Sequence, residues 1–178
     1  MQRDSWTDSP NSFYPHNLLV INPSAISEEN FLRDIMNSTP DRLSEIIEEF
    51  QRCDGREKLE LLLYYAEKMP TLPEWLQEQH NEMHKVHECM TPVFIYAESE
   101  DSKMRFYFDV PRESPTVRGY ASLLMEGFEG TTAEQVLQVP TDFYLQLRLH
   151  EVLSNQRLIG IGAILANMKR LALEFIAE

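Results

Sequence analysis

The sequence predicts an α+β fold in which a small antiparallel sheet is flanked by helices. The first observation is the segment KMRFYFDV, where Met104, Phe106, Phe108 and Val110 alternate with residues of the opposite face. This alternation follows the β-rich VFIYA and the turn-forming ESEDS, and it predicts a hairpin with one buried face. The second observation is that segments with helical spacing stand on both sides of this hairpin.

Two clearly marked helices are predicted before the hairpin. In TPDRLSEIIEEF, Thr39 is the expected cap and Pro40 fits the first helical position. In DGREKLELLLYYAEKMP, Asp54 and Glu57 have the spacing of a capping box. A shorter helical stretch is expected in EWLQEQH. The apolar spacing predicts buried stripes on the two longer helices, formed by Leu43, Ile46, Ile47 and Phe50 and by Leu59, Leu62, Leu63 and Ala66.

Further helices are predicted after the hairpin. Ser114 is the expected cap of SPTVRGYASLLMEGF, with Pro115 next and Gly130 near the end. Thr131 is the expected cap of TTAEQVL, which has Glu134 three residues on, and TDFYLQL is a short helical segment. The last helix begins in SNQRLIG. Its buried face is expected to contain Ile161, Ile164, Leu165, Met168, Ala172 and Phe175.

A chain of 178 residues is expected to form one domain with a sizeable core. Residues 1–26 are rich in Ser, Asn, Pro and Asp and show no period, so they are expected to be an irregular tail. Helical signals begin at SEENFLRDIMN, with Ser27 as a candidate cap. The folded domain is therefore expected to span residues 27–178.

The composition excludes several functional classes. A net charge of −13 repels phosphate backbones, which makes nucleic acid an unexpected partner. No apolar run reaches the roughly 20 residues of a membrane helix, so no membrane partner is expected. The first residues resemble neither a secretory signal nor a basic transit peptide. Together with only two cysteines, this predicts a cytoplasmic protein whose thiols stay reduced.

Cys89 is the first candidate for chemistry. It follows the polar run HKVHE and precedes Thr91 and Pro92, so it is expected in a loop that leads into the strand from Val93. Loops on a rigid scaffold often carry reactive groups. The alternative is an inert cysteine, within a helical interaction module. Cys53 stands at a helix junction before Asp54, where packing is the expected role.

A metal site is the second alternative at this position. His84, His87 and Cys89 fall within six residues, and imidazole and thiolate suit zinc. The pattern has no CxxC pair and no second Cys/His pair that could complete the site. Both histidines are equally compatible with exposed loop positions, and elemental analysis would separate the two possibilities.

Two features of the helices after the hairpin are unusual. Arg157 is a cation in the first turn of the last helix, where the helix dipole disfavours it. Either it has a specific partner, or it is exposed and its charge is screened by solvent. Gly119, Gly160 and Gly162 lie inside helical patterns, each at a cost of about 1 kcal/mol relative to Ala. A close approach of another element is the expected reason.

Four segments resemble the SufE family of sulfur-acceptor proteins. They are FQRCDGREKLELLLYYAEKMPTLP, VHECMTPVFI, TVRGYASLLMEGFEGTTAEQVL and LSNQRLIGIGAILANMKRLA, and the similarity covers roughly residues 40–175. The chain differs from the usual family pattern at four positions: Glu88 replaces Gly, Thr91 replaces Ser, Val152 replaces His and Asn155 replaces Pro. The resemblance implies a SufE/IscU-like fold. This chain has fewer cysteines than a scaffold protein needs to hold an iron–sulfur cluster, which favours a carrier over a scaffold.

The resemblance also implies a function. Cys89 would accept sulfur as a persulfide from a pyridoxal-phosphate-dependent cysteine desulfurase of the SufS type and pass it to a SufBCD-type scaffold complex. The protein would activate that desulfurase rather than act as a self-sufficient enzyme, without a metal or cofactor of its own. The residues expected to bind the partner or support the Cys89 loop are Arg157, Val86, Glu88, Thr91 and Arg118.

Overall fold

The computed structural model describes residues 39–176, in which six α-helices pack around a three-stranded antiparallel sheet. The helices are α1 (Asp41–Arg52), α2 (Gly55–Lys68), α3 (Glu74–Glu78), α4 (Pro115–Gly127), α5 (Ala133–Gln138) and α6 (Asn155–Glu174). The strands, in spatial order, are β1 (His84–Lys85), β2 (Phe94–Glu100) and β3 (Lys103–Asp109). The predicted α+β class is confirmed. The expected tail of residues 1–26 and the helix expected after Ser27 lie outside the described residues.

The predicted hairpin is formed by β2 and β3. The turn is shorter than the predicted ESEDS segment. It consists of Asp101 and Ser102, whose φ angles are both positive, 51° and 62°, as in a two-residue hairpin turn. The alternation is confirmed, since Met104, Phe106, Phe108 and Val110 are all buried. The sequence analysis did not predict β1, a two-residue strand that pairs with the start of β2.

The predicted capping box at the start of α2 is confirmed. The Asp54 carboxylate accepts hydrogen bonds from the backbone N–H of Arg56 and Glu57, at 2.9 and 3.0 Å. The Glu57 carboxylate in turn accepts from the Asp54 N–H at 2.7 Å. At α1, by contrast, Pro40 is the N-cap residue and the helix begins at Asp41, one residue later than expected.

The predicted buried stripe of α2 is only half right. Leu62 and Ala66 are buried, but Leu59 and Leu63 are 38% and 46% exposed. Lys58 and Tyr65 are buried instead. Their polar atoms have partners, since the Lys58 ammonium donates to the Cys53 carbonyl at 2.6 Å and the Tyr65 hydroxyl to the Glu49 carboxylate at 3.0 Å. These bonds let two amphipathic side chains take the buried side of the helix.

The helices after the hairpin follow the prediction closely. Ser114 is the N-cap residue of α4 and Pro115 its first residue, as expected. The cap of α5 is Thr132 rather than Thr131, because the Thr132 hydroxyl accepts from the Gln135 N–H whereas the Thr131 hydroxyl donates to a carbonyl of the preceding turn. The predicted face of α6 is buried through Ala172, and Phe175 follows the helix end half-buried.

The glycines inside the helices allow close packing, as predicted. Gly119 lets α4 lie directly against the backbone of α2, because a β-carbon there would overlap the Leu62 carbonyl. A β-carbon at Gly162 of α6 would lie 3.3 Å from the ring of Tyr144. Among the described residues, no helix combines the length and apolarity needed to cross a lipid bilayer.

Candidate functional site

Cys89 lies in a loop, residues 87–92, that leads into β2, as the sequence predicted; the loop begins after β1, which was not predicted. The loop is closed at its base by Val86 and Val93, whose side chains are both fully buried. The Val86 N–H donates to the Val93 carbonyl at 2.9 Å, which continues the β1–β2 pairing toward the loop. Val86 therefore supports the loop by anchoring its first strand in the core.

The Cys89 side chain packs on the first turns of α6. A β-carbon added at Gly160 would lie 3.1 Å from the Cys89 sulfur, so only glycine leaves the sulfur its present position without a shift. The internal glycine costs α6 roughly 1 kcal/mol relative to alanine, and it allows the thiol to pack close to the helix backbone. The expectation of a close approach at Gly160 is confirmed, and the approaching group is the candidate nucleophile.

The Cys89 thiol faces a cleft of about 540 Å³. Three elements form its walls: the Cys89 loop, the first turn of α4 and the first turns of α6. The lining residues are Cys89, Met90, Thr91, Val117, Ser154, Gln156, Arg157 and Gly160. The thiol is half-buried in the cleft wall, where a reactant that enters the cleft can reach it.

Two opposing influences act on the Cys89 thiol. Burial raises its pKa, because the thiolate is poorly solvated in the cleft wall. Hydrogen bonds from the Thr91 backbone N–H and from the Thr91 hydroxyl lower the pKa, because both donors stabilise the negative charge. Thr91 therefore stabilises the thiolate, which is the nucleophilic form of the Cys89 sulfur.

Arg157 lies where the sequence analysis placed it, in the first turn of α6, and its side chain lines the cleft. The residue is exposed, and its guanidinium makes no ion pair with the part of the chain that the structure describes. A cation without a carboxylate partner at the mouth of a cleft can attract an anionic group of a reactant or partner protein.

Glu88 occupies the position before Cys89 without backbone strain. Among the described non-glycine residues, positive φ occurs only at Asp101, Ser102 and Arg148, so the loop has no left-handed residue at Glu88. Its exposed carboxylate accepts a hydrogen bond from the Asn167 amide of α6 at 3.4 Å. This contact ties the outer side of the loop to α6.

Arg118 is not part of the cleft wall. Its guanidinium donates to three backbone carbonyls, those of Ala66 at 3.0 Å, Met69 at 3.2 Å and Val110 at 2.6 Å. These bonds join the C-terminal end of α2 to the chain that leaves β3. Arg118 therefore joins elements of the scaffold and does not line the cleft, although its neighbour Val117 does.

The geometry does not support the metal alternative. His84 and His87 are both exposed on the surface of β1 and the Cys89 loop. Within residues 39–176, no three His, Cys, Asp or Glu side chains converge closely enough to hold a metal ion. Cys53, at the C-terminal end of α1, belongs to a different part of the molecule.

Sequence reasoning missed two contacts at the cleft. Ser114, predicted only as a helix cap, accepts a hydrogen bond from the Thr91 hydroxyl at 3.3 Å. The Gln156 amide contacts the sulfur of Met90, whose side chain is 83% exposed beside Cys89. Both contacts join residues that are far apart in the chain, so no local spacing could have indicated them.

Comparisons with known proteins identify the family of this chain. A family model described as the SufE Fe-S metabolism associated domain matches residues 44–172. An uncharacterized SufE-like protein of Mycobacterium tuberculosis is 40% identical over 134 residues, which cover 75% of this chain and 92% of that protein. An uncharacterized SufE-like protein of Synechocystis is 30% identical over 137 residues, which cover 76% and 83% of the two chains.

A solved structure shows the same fold. The solution structure of a hypothetical protein from Thermus thermophilus superposes with a TM-score of 0.70 and 37% sequence identity, covering 79% of this chain and 99% of that one. The match to the family model spans most of the described residues, including the Cys89 loop and most of α6. The chain therefore belongs to the SufE family, whose domain is associated with iron–sulfur metabolism.

Proposed function

We propose that this protein is a sulfur acceptor and carrier for iron–sulfur cluster assembly and that Cys89 carries the sulfur. The donor is a pyridoxal-phosphate-dependent cysteine desulfurase of the SufS type, which the carrier stimulates, and the acceptor is a SufBCD-type scaffold complex. Both partners act in the cytoplasm. The main supporting observation is the half-buried Cys89 thiol, which faces a cleft built by the Cys89 loop, α4 and α6.

The transfer step is a thiol–persulfide exchange. The Cys89 thiolate attacks the outer sulfur of the persulfide held on the desulfurase cysteine, and a new sulfur–sulfur bond forms on Cys89. The sulfur–sulfur bond on the desulfurase breaks at the same time, and its cysteine leaves as a thiolate. The reaction transfers one sulfur atom without an external oxidant or reductant, and the pyridoxal phosphate stays with the desulfurase.

The surroundings of Cys89 suit both a protected resting thiol and a stabilised anionic sulfur during transfer. Burial keeps the resting thiol protonated to higher pH than a free thiol, which limits its reaction with small oxidants. Once an anionic sulfur forms, the Thr91 N–H and hydroxyl are in place to donate to it. The carrier thus exposes a nucleophile only through the cleft where a partner presents its persulfide.

Stimulation of the desulfurase follows from the same chemistry. The desulfurase cannot start another cycle until its own persulfide has been removed, so a carrier that accepts this sulfur quickly raises the turnover. Arg157 and Glu88 flank Cys89 on the cleft side and the outer side of the loop, and they are the residues expected to contact the partner.

Intact-mass spectrometry after incubation with a cysteine desulfurase and free cysteine tests the proposal. We expect one added sulfur atom, removable by a thiol reductant, and a higher rate of alanine release by the desulfurase. The absence of added sulfur, together with a thiol that reacts no faster than a free model thiol, would instead identify Cys89 as inert. Stoichiometric zinc in the purified protein would revive the metal-site alternative.

A further inference from the structure

We propose that Ser114 is a positioning residue for the chemistry of Cys89 and that it acts through the Thr91 hydroxyl. The proposal rests on the proposed function of Cys89 as a nucleophile. Thr91 links the two residues: it follows Cys89 by two positions in the same cleft wall, and its hydroxyl donates to the Ser114 oxygen at 3.3 Å. The Thr91 donors also lower the pKa of the Cys89 thiol.

The Ser114 hydroxyl is available for this role because it does not cap its own helix. It is the N-cap residue of α4, yet its hydroxyl makes no capping hydrogen bond to the backbone of that helix. The residue is half-buried, and Val117 in the first turn of the same helix forms part of the cleft wall. The start of α4 therefore presents Ser114 toward the Cys89 loop rather than toward its own N–H groups.

The hydroxyl hydrogens define two arrangements. The Thr91 hydroxyl has a single hydrogen, and while Cys89 is a neutral thiol this hydrogen can point to the Ser114 oxygen. When Cys89 loses its proton to solvent, the Thr91 hydrogen turns to the sulfur, and Ser114 then donates its own hydrogen to the vacated Thr91 oxygen. No covalent bond changes apart from the loss of the thiol proton.

The second arrangement favours the thiolate. A hydroxyl that accepts a hydrogen bond becomes a stronger donor, because successive hydrogen bonds polarise one another. Ser114 thereby strengthens the Thr91–sulfur bond without touching the sulfur itself. The ionisable residues that neighbour Cys89 and Ser114 in the chain are His87, Glu88 and Glu113, and Arg157 of α6 lines the same cleft.

The test measures the pH dependence of Cys89 alkylation by iodoacetamide in the Cys53→Ser protein, so that only one thiol reacts. We expect Ser114→Ala to move the midpoint upward by about half a pH unit and Thr91→Val to move it further, because each removes hydrogen bonding to the thiolate. Ser114→Thr retains a hydroxyl and should therefore keep the midpoint of the Cys53→Ser protein. Ser99→Ala, at an exposed position on β2, is the matched control and should leave it unchanged.

The double variant shows whether Ser114 acts through Thr91. With Thr91→Val already present, Ser114→Ala should cause no further shift, whereas two independent residues would give additive shifts. An unchanged midpoint in Ser114→Ala, or an equal shift with and without the Thr91 hydroxyl, would overturn the proposal. Alkylation needs no desulfurase, so these results are separate from the test of sulfur uptake, and a failure of one does not imply a failure of the other.

Discussion

The two cysteines are both partly exposed, but they have very different surroundings. Both are half-buried, and burial raises the pKa of each thiol. At Cys53 the nearby Glu57 carboxylate raises the pKa further, and the thiol itself donates to the Glu49 carbonyl at 3.3 Å. At Cys89 the neighbours are donors, the N–H and hydroxyl of Thr91, which lower the pKa.

Exposure alone therefore does not indicate which thiol is a nucleophile. Burial and nearby carboxylates disfavour the Cys53 thiolate and are opposed by the charge of Lys58, whereas hydrogen-bond donors beside Cys89 stabilise its thiolate. The backbone around Cys53 also has a structural task, since its carbonyl accepts from the buried Lys58 ammonium. We therefore propose a division between the two regions, with chemistry at the Cys89 loop and stability at the α1–α2 junction.

The largest expected effect is the loss of sulfur uptake in Cys89→Ser. A hydroxyl has a far higher pKa than a thiol and is a poor nucleophile toward sulfur. Docking depends on a wider surface, so we expect the variant to bind the desulfurase within about tenfold of the wild-type affinity, or about 1.4 kcal/mol. It should then inhibit the wild-type carrier competitively.

Calorimetric titration against the desulfurase decides whether docking and chemistry separate. Cys53→Ser is the matched control and should bind and accept sulfur normally. Complete loss of binding by Cys89→Ser would mean that the thiol belongs to the docking surface itself.

Lys58→Met should lower stability while leaving the chemistry intact. Its ammonium is buried and bonded to the Cys53 carbonyl at 2.6 Å, so its removal leaves a half-buried carbonyl without that donor. We expect a loss of about 2 kcal/mol in the free energy of unfolding. Chemical denaturation measures it, with Arg56→Met as the control because that exposed residue has only a helical surface pair with Glu60. A matching loss of sulfur uptake by folded Lys58→Met would break the division between the two regions.

Gly160→Ala should displace the Cys89 sulfur. The new β-carbon would meet the sulfur at 3.1 Å, which forces the side chain or the loop to move by a few tenths of an ångström. We expect sulfur uptake to slow about tenfold, because transfer between two sulfurs is sensitive to position. Gly162→Ala, which faces the Tyr144 ring instead, is the matched control. Equal rates in both variants would show that the contact with α6 does not position the thiol.

Arg157→Ala has the smallest expected effect. The guanidinium lines the cleft and, within the described range, has no ion pair to lose, so the fold should survive. Desulfurase stimulation should fall about threefold to tenfold through weaker attraction of the partner. Arg170→Ala, on the same helix but paired with Glu174, should change stimulation little. Unchanged stimulation in Arg157→Ala would remove this residue from the site.

The sequence indicates best what depends on short spacing. The hairpin alternation, the Asp54–Glu57 capping box and the buried face of α6 all follow from periods of two to four residues, and all are present. The α2 stripe fails because apolar spacing cannot foresee that Lys58 finds a buried carbonyl partner. Leu59 and Leu63 lie on the exposed side as a result.

The site was predictable in part for the same reason. The polar run before Cys89 and the proline after it placed the thiol in a loop, and Gly160 signalled a close approach within α6. The identity of the approaching group required the fold, because the loop and the helix are about seventy residues apart in the chain. The Thr91–Ser114 contact and the backbone contacts of Arg118 likewise depend on tertiary packing.

The most direct test of the central assignment uses the two single-cysteine proteins. Cys53→Ser and Cys89→Ser are each incubated with a cysteine desulfurase and free cysteine, and the peptides are mapped by mass spectrometry without reductant. We expect a persulfide on Cys89 in the Cys53→Ser protein and no added sulfur on Cys53 in the Cys89→Ser protein. Sulfur found mainly on Cys53, or equally on both thiols, would contradict the assignment of Cys89 as the sulfur-carrying residue.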